Sequence, residues 1–177
     1  LRPSWLIFSS GFEHSRLTRL FKRLIDLFLS AFSLVILFPL IMIIAVLIKL
    51  ESRGPVFFKQ DRVGESGRVF VLYKFRSMQE DAEKETGPVW AGDKDDRMTL
   101  IGRFVRKTRM DEIPQLFNLF KGDMSIVGPR PERPFFVEQL ARKIPFYVKR
   151  HAVKPGVTGW AQVRYSYGAS VEDAKEK

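Results

Sequence analysis

Asp111 and Glu112 adjoin each other inside the stretch RKTRMDEIPQ, with Arg103, Arg106, Lys107 and Arg109 just before them. Two carboxylates beside several cations suit a divalent metal and a pyrophosphate, because Mg²⁺ typically takes one or two carboxylates plus substrate phosphates. Pro114 fits the first turn of a helix, where its missing N–H does no harm. With Asp111 as N-cap, Pro114 falls at N3 and the carboxylate reaches only the N2 amide, which leaves lone pairs for other work. A helix start also favours phosphate. The plain alternative is an acidic pair that simply caps a helix.

A second cluster is GDMSIVGPRPERP. Pro129 and Pro131 restrict the backbone on both sides of Arg130. A guanidinium held in this way suits bidentate phosphate recognition, although a structural arginine in a stiff loop fits as well. Asp123 reads as a cap more readily than as a metal ligand. Lys74 and Arg76 alternate with Tyr73 and Phe75 on an expected strand and so share one face, either toward phosphate or toward solvent. In KPGVTGWAQV, Trp160 fits a core position better than a stacking platform for a base. His14 and His151 lie in unrelated contexts, so neither a His-based metal site nor a Ser-His-Asp triad has support. Walker A and dinucleotide-type glycine motifs are missing.

The elements that must hold these residues begin with an apolar run. Leu27 to Ile48 carries no charge and has Pro39 near its middle, so it qualifies as a membrane helix. Arg16, Arg19, Lys22 and Arg23 precede it, and Lys49, Arg53 and Lys59 follow. A spanning helix usually has its basic excess on one side only. Basic flanks on both sides fit a dip that enters and leaves by one face, with Pro39 as the break and the hydroxyls of Ser30 and Ser33 serving the freed backbone groups. A spanning helix with a tolerated proline stands as the other reading. LTRLFKRL, before the run, reads as an amphipathic helix at headgroup level or as an extension of the membrane helix.

Beyond the run, SRGP is a breaker, VFFKQ and RVFVLYKFRSM are strands around the turn VGESG, and Glu80–Asp96 is a loop. MTLIGRFVRKT reads as a helix, and Phe104 beside Arg103 and Arg106 suits the bilayer interface. DEIPQLFNLFKGDMS reads as a helix with Ile113, Leu116, Phe117 and Phe120 on one face. FFVEQLARKIPFYVKRHAV is helical with an interruption near Pro145. KPGVTGWAQVR is a turn followed by a short strand or loop.

The 177 residues carry a net charge of +10 and no cysteine. Disulfides and Cys-based zinc sites are therefore excluded. The charge excess is +5 up to Lys59 and +5 beyond it, so it is not confined to a tail. Anionic lipid, nucleic acid and a phosphate-rich small substrate are the partners such charge could serve. No helix-turn-helix, zinc-finger or RNP pattern is visible, which speaks against nucleic acid. The start at Leu1 and the charged end VEDAKEK read as a fragment of a longer protein.

Taken together, FKQDRVG, YKFRSM, TRMDEIPQLFNLFKGDMSIVGPRPE and KPGVTGWAQV resemble the bacterial sugar transferases, also called monotopic phosphoglycosyl transferases. Order and spacing match from about Arg16 to Arg164. The resemblance implies a small α/β domain on the cytoplasmic face of the bacterial inner membrane, with amphipathic interfacial helices. Its anchor would be a re-entrant helix broken at Pro39. Family anchors often carry Ser directly before that proline, where this chain has Phe38. The layout becomes a connector over 1–15, the amphipathic and re-entrant membrane part over 16–54 and the catalytic domain over 55–177.

The implied reaction transfers a sugar 1-phosphate from a UDP-sugar to polyprenyl (undecaprenyl) phosphate and releases UMP, the first membrane step of exopolysaccharide, capsule or O-antigen glycan assembly. Asp111 would be the nucleophile, and Asp111 and Glu112 would bear on Mg²⁺. Arg130 and Arg106 would hold phosphate, with Lys74, Arg76 and Arg109 as further candidates. The partners are then the nucleotide-sugar, the lipid phosphate and membrane lipid, and a homo-oligomer is left open. The alternative is a catalytically inactive, membrane-tethered scaffold, which loss of Asp111 would have favoured.

Overall fold

The computed structural model of the chain describes residues 15–79, 82 and 96–164. Residues 1–14 of the connector over 1–15, nearly all of the Glu80–Asp96 loop and the C-terminal VEDAKEK stretch lie outside the described residues. The architecture mixes helices with two small two-stranded sheets, as the α/β expectation has it.

The first helix, α1 (Arg16–Glu51), has 36 residues. At 1.5 Å per residue it is about 54 Å long. Ser15 caps its start by accepting the Thr18 N–H. The helical assignment runs without interruption through Pro39, so the expected break is not seen. One missing N–H in so long a helix removes a single intrahelical bond, and the packing of Leu34, Leu37, Leu40 and Ile41 on either side of Pro39 holds the turns together. The Ser30 hydroxyl donates to Leu27 O at 3.0 Å, too far up the helix to serve groups freed by Pro39.

One stripe of α1 faces the rest of the protein. Asp26, Ser30, Ile41, Ile44 and Ile48 are buried at helical spacing. Phe28, Phe32, Val35, Ile36, Phe38, Met42, Ile43 and Val46 lie exposed around the rest of its circumference.

β1 (Phe57–Val63) and β2 (Val69–Phe75) form an antiparallel hairpin in the register Phe57↔Phe75 to Val63↔Val69. Phe57 and Phe75 stack, with ring centroids 5.5 Å apart, and join the core cluster of Ile41, Ile44, Ile48 and Val105. α2 (Leu100–Lys107) is capped by Thr99, whose hydroxyl accepts the Gly102 N–H. Gly102 is a steric requirement: a Cβ there would meet Ser77 O at 2.0 Å.

α3 (Gln115–Lys121) ends at Gly122, which has the left-handed φ of 92° that favours glycine. It is shorter than the expected helix, because Met110–Glu112 forms a separate 3₁₀ turn and Pro114 occupies the cap position. α4 (Pro134–Lys143) stops at Ile144, just before Pro145, and a 3₁₀ stretch follows over Tyr147–Ala152. The interruption expected at Pro145 is therefore met.

β3 (Ser125–Val127) and β4 (Gly156–Thr158) pair in parallel. The backbones of Gly128 and Gly156 touch, leaving no room for a Cβ on either. After β4 the chain forms the short helix α5 (Trp160–Arg164), where a strand or loop was expected.

Candidate active site

The reactive pair sits between α2 and α3. Arg109 has a left-handed φ of 60°, which turns the chain sharply after α2. Asp111 and Glu112 follow within the 3₁₀ turn, so Asp111 is not the N-cap of α3, and Pro114 in that position makes no side-chain capping bond. The capping explanation for the acidic pair therefore falls away.

Glu112 is held by two cations on one oxygen. Its Oε1 lies 2.8 Å from Lys74 Nζ and 2.6 Å from Arg130 Nη2. Burial alone would raise its pKa, but Lys74 and Arg130 outweigh it and hold it down at about 2. Asp111 is treated differently. Its Oδ2 is 3.8 Å from Lys74 Nζ, and its carboxylate accepts no hydrogen bond among the described residues. Burial pushes its pKa up; Lys74, Arg106 and Arg130 pull it down and Glu112 pushes it up again, leaving it above the ordinary aspartate value. One carboxylate is locked in charge and position, and its neighbour is left with its lone pairs uncommitted.

The cations come from separate elements. Lys74 projects from β2, Arg106 from α2 and Arg130 from the loop after β3. That loop is fixed from several directions. Arg62 Nη1 donates to Pro131 O at 2.9 Å, and Val63 N donates to Glu132 O at 2.9 Å. Arg150 Nη2 donates to Arg130 O at 2.8 Å, and Arg150 also bonds the Tyr147 hydroxyl. The double-proline stiffness read from the sequence is thus reinforced by two further arginines that sequence reasoning missed. Their signal would have been the basic residues left without an assignment.

Arg109 contributes through its backbone, its carbonyl accepting the Glu112 N–H at 3.3 Å. Arg76 is placed elsewhere. It is 6% exposed and donates to Arg53 O at 2.7 Å and to Ser52 O at 2.9 Å and Ser52 Oγ at 2.8 Å. It thus satisfies carbonyls at the C-terminal end of α1 instead of standing beside Lys74. The reason is the end of β2 at Phe75: the face shared along the strand does not extend to position 76. Trp160 is 74% exposed, with the Arg164 guanidinium 5.9 Å from its ring centroid, so the core position expected for it is not seen. Pro39 lies far along α1 and takes no part in the pair's geometry.

The carboxylates fit a hard divalent cation in the sparing way Mg²⁺ uses protein ligands. Asp111 offers a carboxylate with no hydrogen-bond donor, and Glu112 has a second oxygen beside the one held by Lys74 and Arg130. Among the described residues no cluster of three acidic or His ligands exists, so phosphate and water would have to complete the coordination.

Residues 17–177 match the family described as bacterial sugar transferase. The chain belongs to the bacterial sugar transferase family. Among its relatives, an Aeromonas hydrophila protein is 50% identical over 156 residues, covering 88% of this chain and 37% of the relative. It is named UDP-N-acetylgalactosamine-undecaprenyl-phosphate N-acetylgalactosaminephosphotransferase. An Escherichia coli K12 protein, named UDP-glucose:undecaprenyl-phosphate glucose-1-phosphate transferase, is 44% identical over 149 residues, which is 84% of this chain and 32% of the relative. The exopolysaccharide production protein PSS of Rhizobium leguminosarum is 41% identical over 162 residues, covering 88% of this chain and 80% of the relative. This family member thus spans about a third of the length of the Aeromonas and Escherichia proteins and most of the Rhizobium one.

Proposed function

We propose that this chain transfers a sugar 1-phosphate from a UDP-sugar to polyprenyl phosphate, with Asp111 as the nucleophile. The observation that carries the reading is the asymmetry of the acidic pair: Glu112 is engaged by Lys74 and Arg130, while the Asp111 carboxylate accepts no hydrogen bond among the described residues. The names of the relatives supply the donor and acceptor classes.

In the first half-reaction an Asp111 carboxylate oxygen attacks the β-phosphorus. The bond from that phosphorus to the bridging oxygen breaks, and UMP leaves with the electron pair. In the second half-reaction a phosphate oxygen of the lipid attacks the same phosphorus and the Asp111–phosphorus bond breaks, which restores the carboxylate. A covalent step divides one difficult transfer into two easier ones. Phosphate charge repels an anionic nucleophile, so cations near the phosphoryl oxygens are needed; Lys74 and Arg130 contact Glu112, and both of them and Arg106 favour the ionised form of Asp111. Mg²⁺, held by Asp111 and Glu112, would supply further charge neutralisation of the pyrophosphate.

We read α1 as an anchor whose two ends meet the same, cytoplasmic face of the inner membrane, a re-entrant path that would need the continuous helix to bend at Pro39. Two sets of charged contacts support this. Near its start, Lys22 donates to Val127 O at 3.0 Å, Arg23 to Leu119 O at 2.8 Å and Phe120 O at 2.7 Å, and Asp26 Oδ1 accepts the Ile126 N–H at 3.1 Å. At its end, the Glu51 carboxylate accepts the N–H groups of Leu100 at 2.6 Å and Ile101 at 3.1 Å. A helix crossing about 30 Å of hydrocarbon would put those two sets in opposite compartments, yet both bind one small domain.

Intact-mass measurement of the purified full-length protein with Mg²⁺, one UDP-sugar at a time and no lipid acceptor tests the mechanism. A phosphosugar-sized gain that Asp111→Asn lacks supports it and names the sugar. UMP release without an adduct would make Asp111 a metal ligand only. Neither adduct nor UMP from any donor would favour an inactive scaffold.

A further inference from the structure

β1 and β2 make a sheet of only two strands, so β2 has an open edge facing α3. The turn bond from Gly64 N to Arg68 O at 2.8 Å sets which residues pair by hydrogen bonds across the hairpin. Counting along the register, the N–H and C=O groups of Val71 and Tyr73 point outward, away from β1. On that edge Asn118 supplies what a third strand would. Its Oδ1 accepts the Tyr73 N–H at 3.0 Å, and its Nδ2 donates to Val71 O at 2.6 Å. Nδ2 also lies 3.3 Å from Asp123 Oδ2, and the Asn118 side chain is fully buried.

Asn118 therefore grips the residue immediately before Lys74, from a helix whose other end leads into Asp111 and Glu112. We propose that Asn118 is the positioning residue for Lys74, its amide standing in for a missing strand and fixing the lysine against the Asp111–Glu112 pair. Lysine is a flexible point charge, and a two-stranded hairpin is a marginal platform. Leu72 of the strand packs against Leu119 and Met124, and Asn118 adds the directional hydrogen bonds that such apolar contacts lack. Only a primary amide of this length meets both edge groups. Aspartate would leave Val71 O without a donor and would face Asp123. Leucine would leave both edge groups unpaired in a buried place.

The inference rests on the proposed function, and its test separates the two. Asn118→Asp, Asn118→Leu and the milder Asn118→Gln are compared in the full-length protein for UMP release against pH, alongside Lys74→Met and the Lys74→Met/Asn118→Leu pair. Misplaced charge predicts a fall in kcat of about 10–100-fold with the donor KM nearly unchanged. The acid limb should move to higher pH, because Asp111 loses the pull of Lys74 while Arg106, Arg130 and Glu112 stay in place. Asn118→Leu should add nothing to Lys74→Met.

A merely structural asparagine would lower the melting temperature, leave kcat and the acid limb per folded molecule unchanged, and multiply with Lys74→Met; that result overturns the proposal. If Asn118→Asp and Asn118→Leu do not fold, Asn118→Gln decides, since it keeps both hydrogen-bonding atoms one methylene out of place. If the unaltered protein releases no UMP from any UDP-sugar, the functional reading fails instead. A crystal structure of Asn118→Gln then reports the lysine contact: loss of the 2.8 Å approach of Lys74 Nζ to Glu112 Oε1 supports the placement, and an unchanged contact overturns it.

Discussion

Lys74 reaches Glu112 at 2.8 Å, a full hydrogen bond to the carboxylate that forms no bond in the proposed reaction. Because that bond is satisfied, the lysine stands beside Asp111 at 3.8 Å as a charge without occupying its lone pairs. A nucleophile needs both conditions: a cation near enough to favour ionisation and lone pairs free to attack.

Asp111→Asn should abolish turnover, by about 10³-fold or more, and make the protein more stable. The buried Asp111 carboxyl has a folded pKa above its ordinary 3.8. Its ionised form therefore opposes folding at neutral pH, and that penalty disappears as pH falls through the raised value. A neutral isostere removes it at all pH. Calorimetry of both forms at pH 7 checks this, and an unchanged or lower melting temperature for Asp111→Asn would contradict the strain.

The pair should also split in its response to acid. Glu112 is depressed from 4.5 to about 2, so its contribution to stability is complete above 4.5 and is lost as pH falls toward 2. The acid limb of UMP release then follows Asp111 alone. Lys74→Met should shift that limb to higher pH, as should Arg130→Met to a smaller degree, measured as initial rates across a pH series.

Arg76→Ala should act on folding. It removes the donor to Ser52 O and Arg53 O at the end of α1 and leaves these partly buried carbonyls without it, costing about 1–3 kcal/mol. The folded fraction should bind UDP-sugar normally. A raised KM with an unchanged melting temperature would return Arg76 to the phosphate site.

The anchor can be read out directly because these 177 residues contain no cysteine. Single cysteines at Ser15 and Arg53 should react with an impermeant maleimide from the same side of sealed vesicles. Reaction from opposite sides would mean that α1 spans.

Gly102→Ala should cost about 1–3 kcal/mol or more and reduce activity as well, since the added methyl meets the Ser77 backbone and must push α2, with Arg106, away from the pair. Thermal melts and kcat measured together check it.

The parts of the sequence that could be read were those governed by local rules. Two strand-like runs around the turn VGESG gave the hairpin, the apolar run gave α1, and Pro145 gave the end of α4. The grouping of the acidic pair with Arg130, Arg106 and Lys74 came from the family resemblance, because the local pattern fits a helix cap, a stiff-loop arginine and a solvated lysine as well. The misreadings arise where tertiary partners override local preference. Asp111 looked like a cap because acidic residues before helices usually are, whereas Pro114 takes the cap position and the pair turns to its cations. Arg76 looked like a twin of Lys74, but the free carbonyls of a helix end, brought close only by folding, claim it. The parallel pairing of β3 with β4 joins three-residue strands far apart in the chain, and no periodicity can be read over three residues. Asn118 gave no signal, because its partners are backbone atoms of a distant strand.

Arg23 of α1 binds the last carbonyls of α3, and Asp111 stands just before the first turn of that same helix, seven residues long. Seven residues are about 10 Å, and a helix that short does not bend. α3 is thus a rigid strut whose length sets the spacing between the Arg23 end of α1 and the acidic pair: lengthening it by one turn would move the two about 5 Å further apart. If the proposed function holds, that fixed spacing, and not a flexible arm, decides how far from the anchor a phosphate can meet the pair.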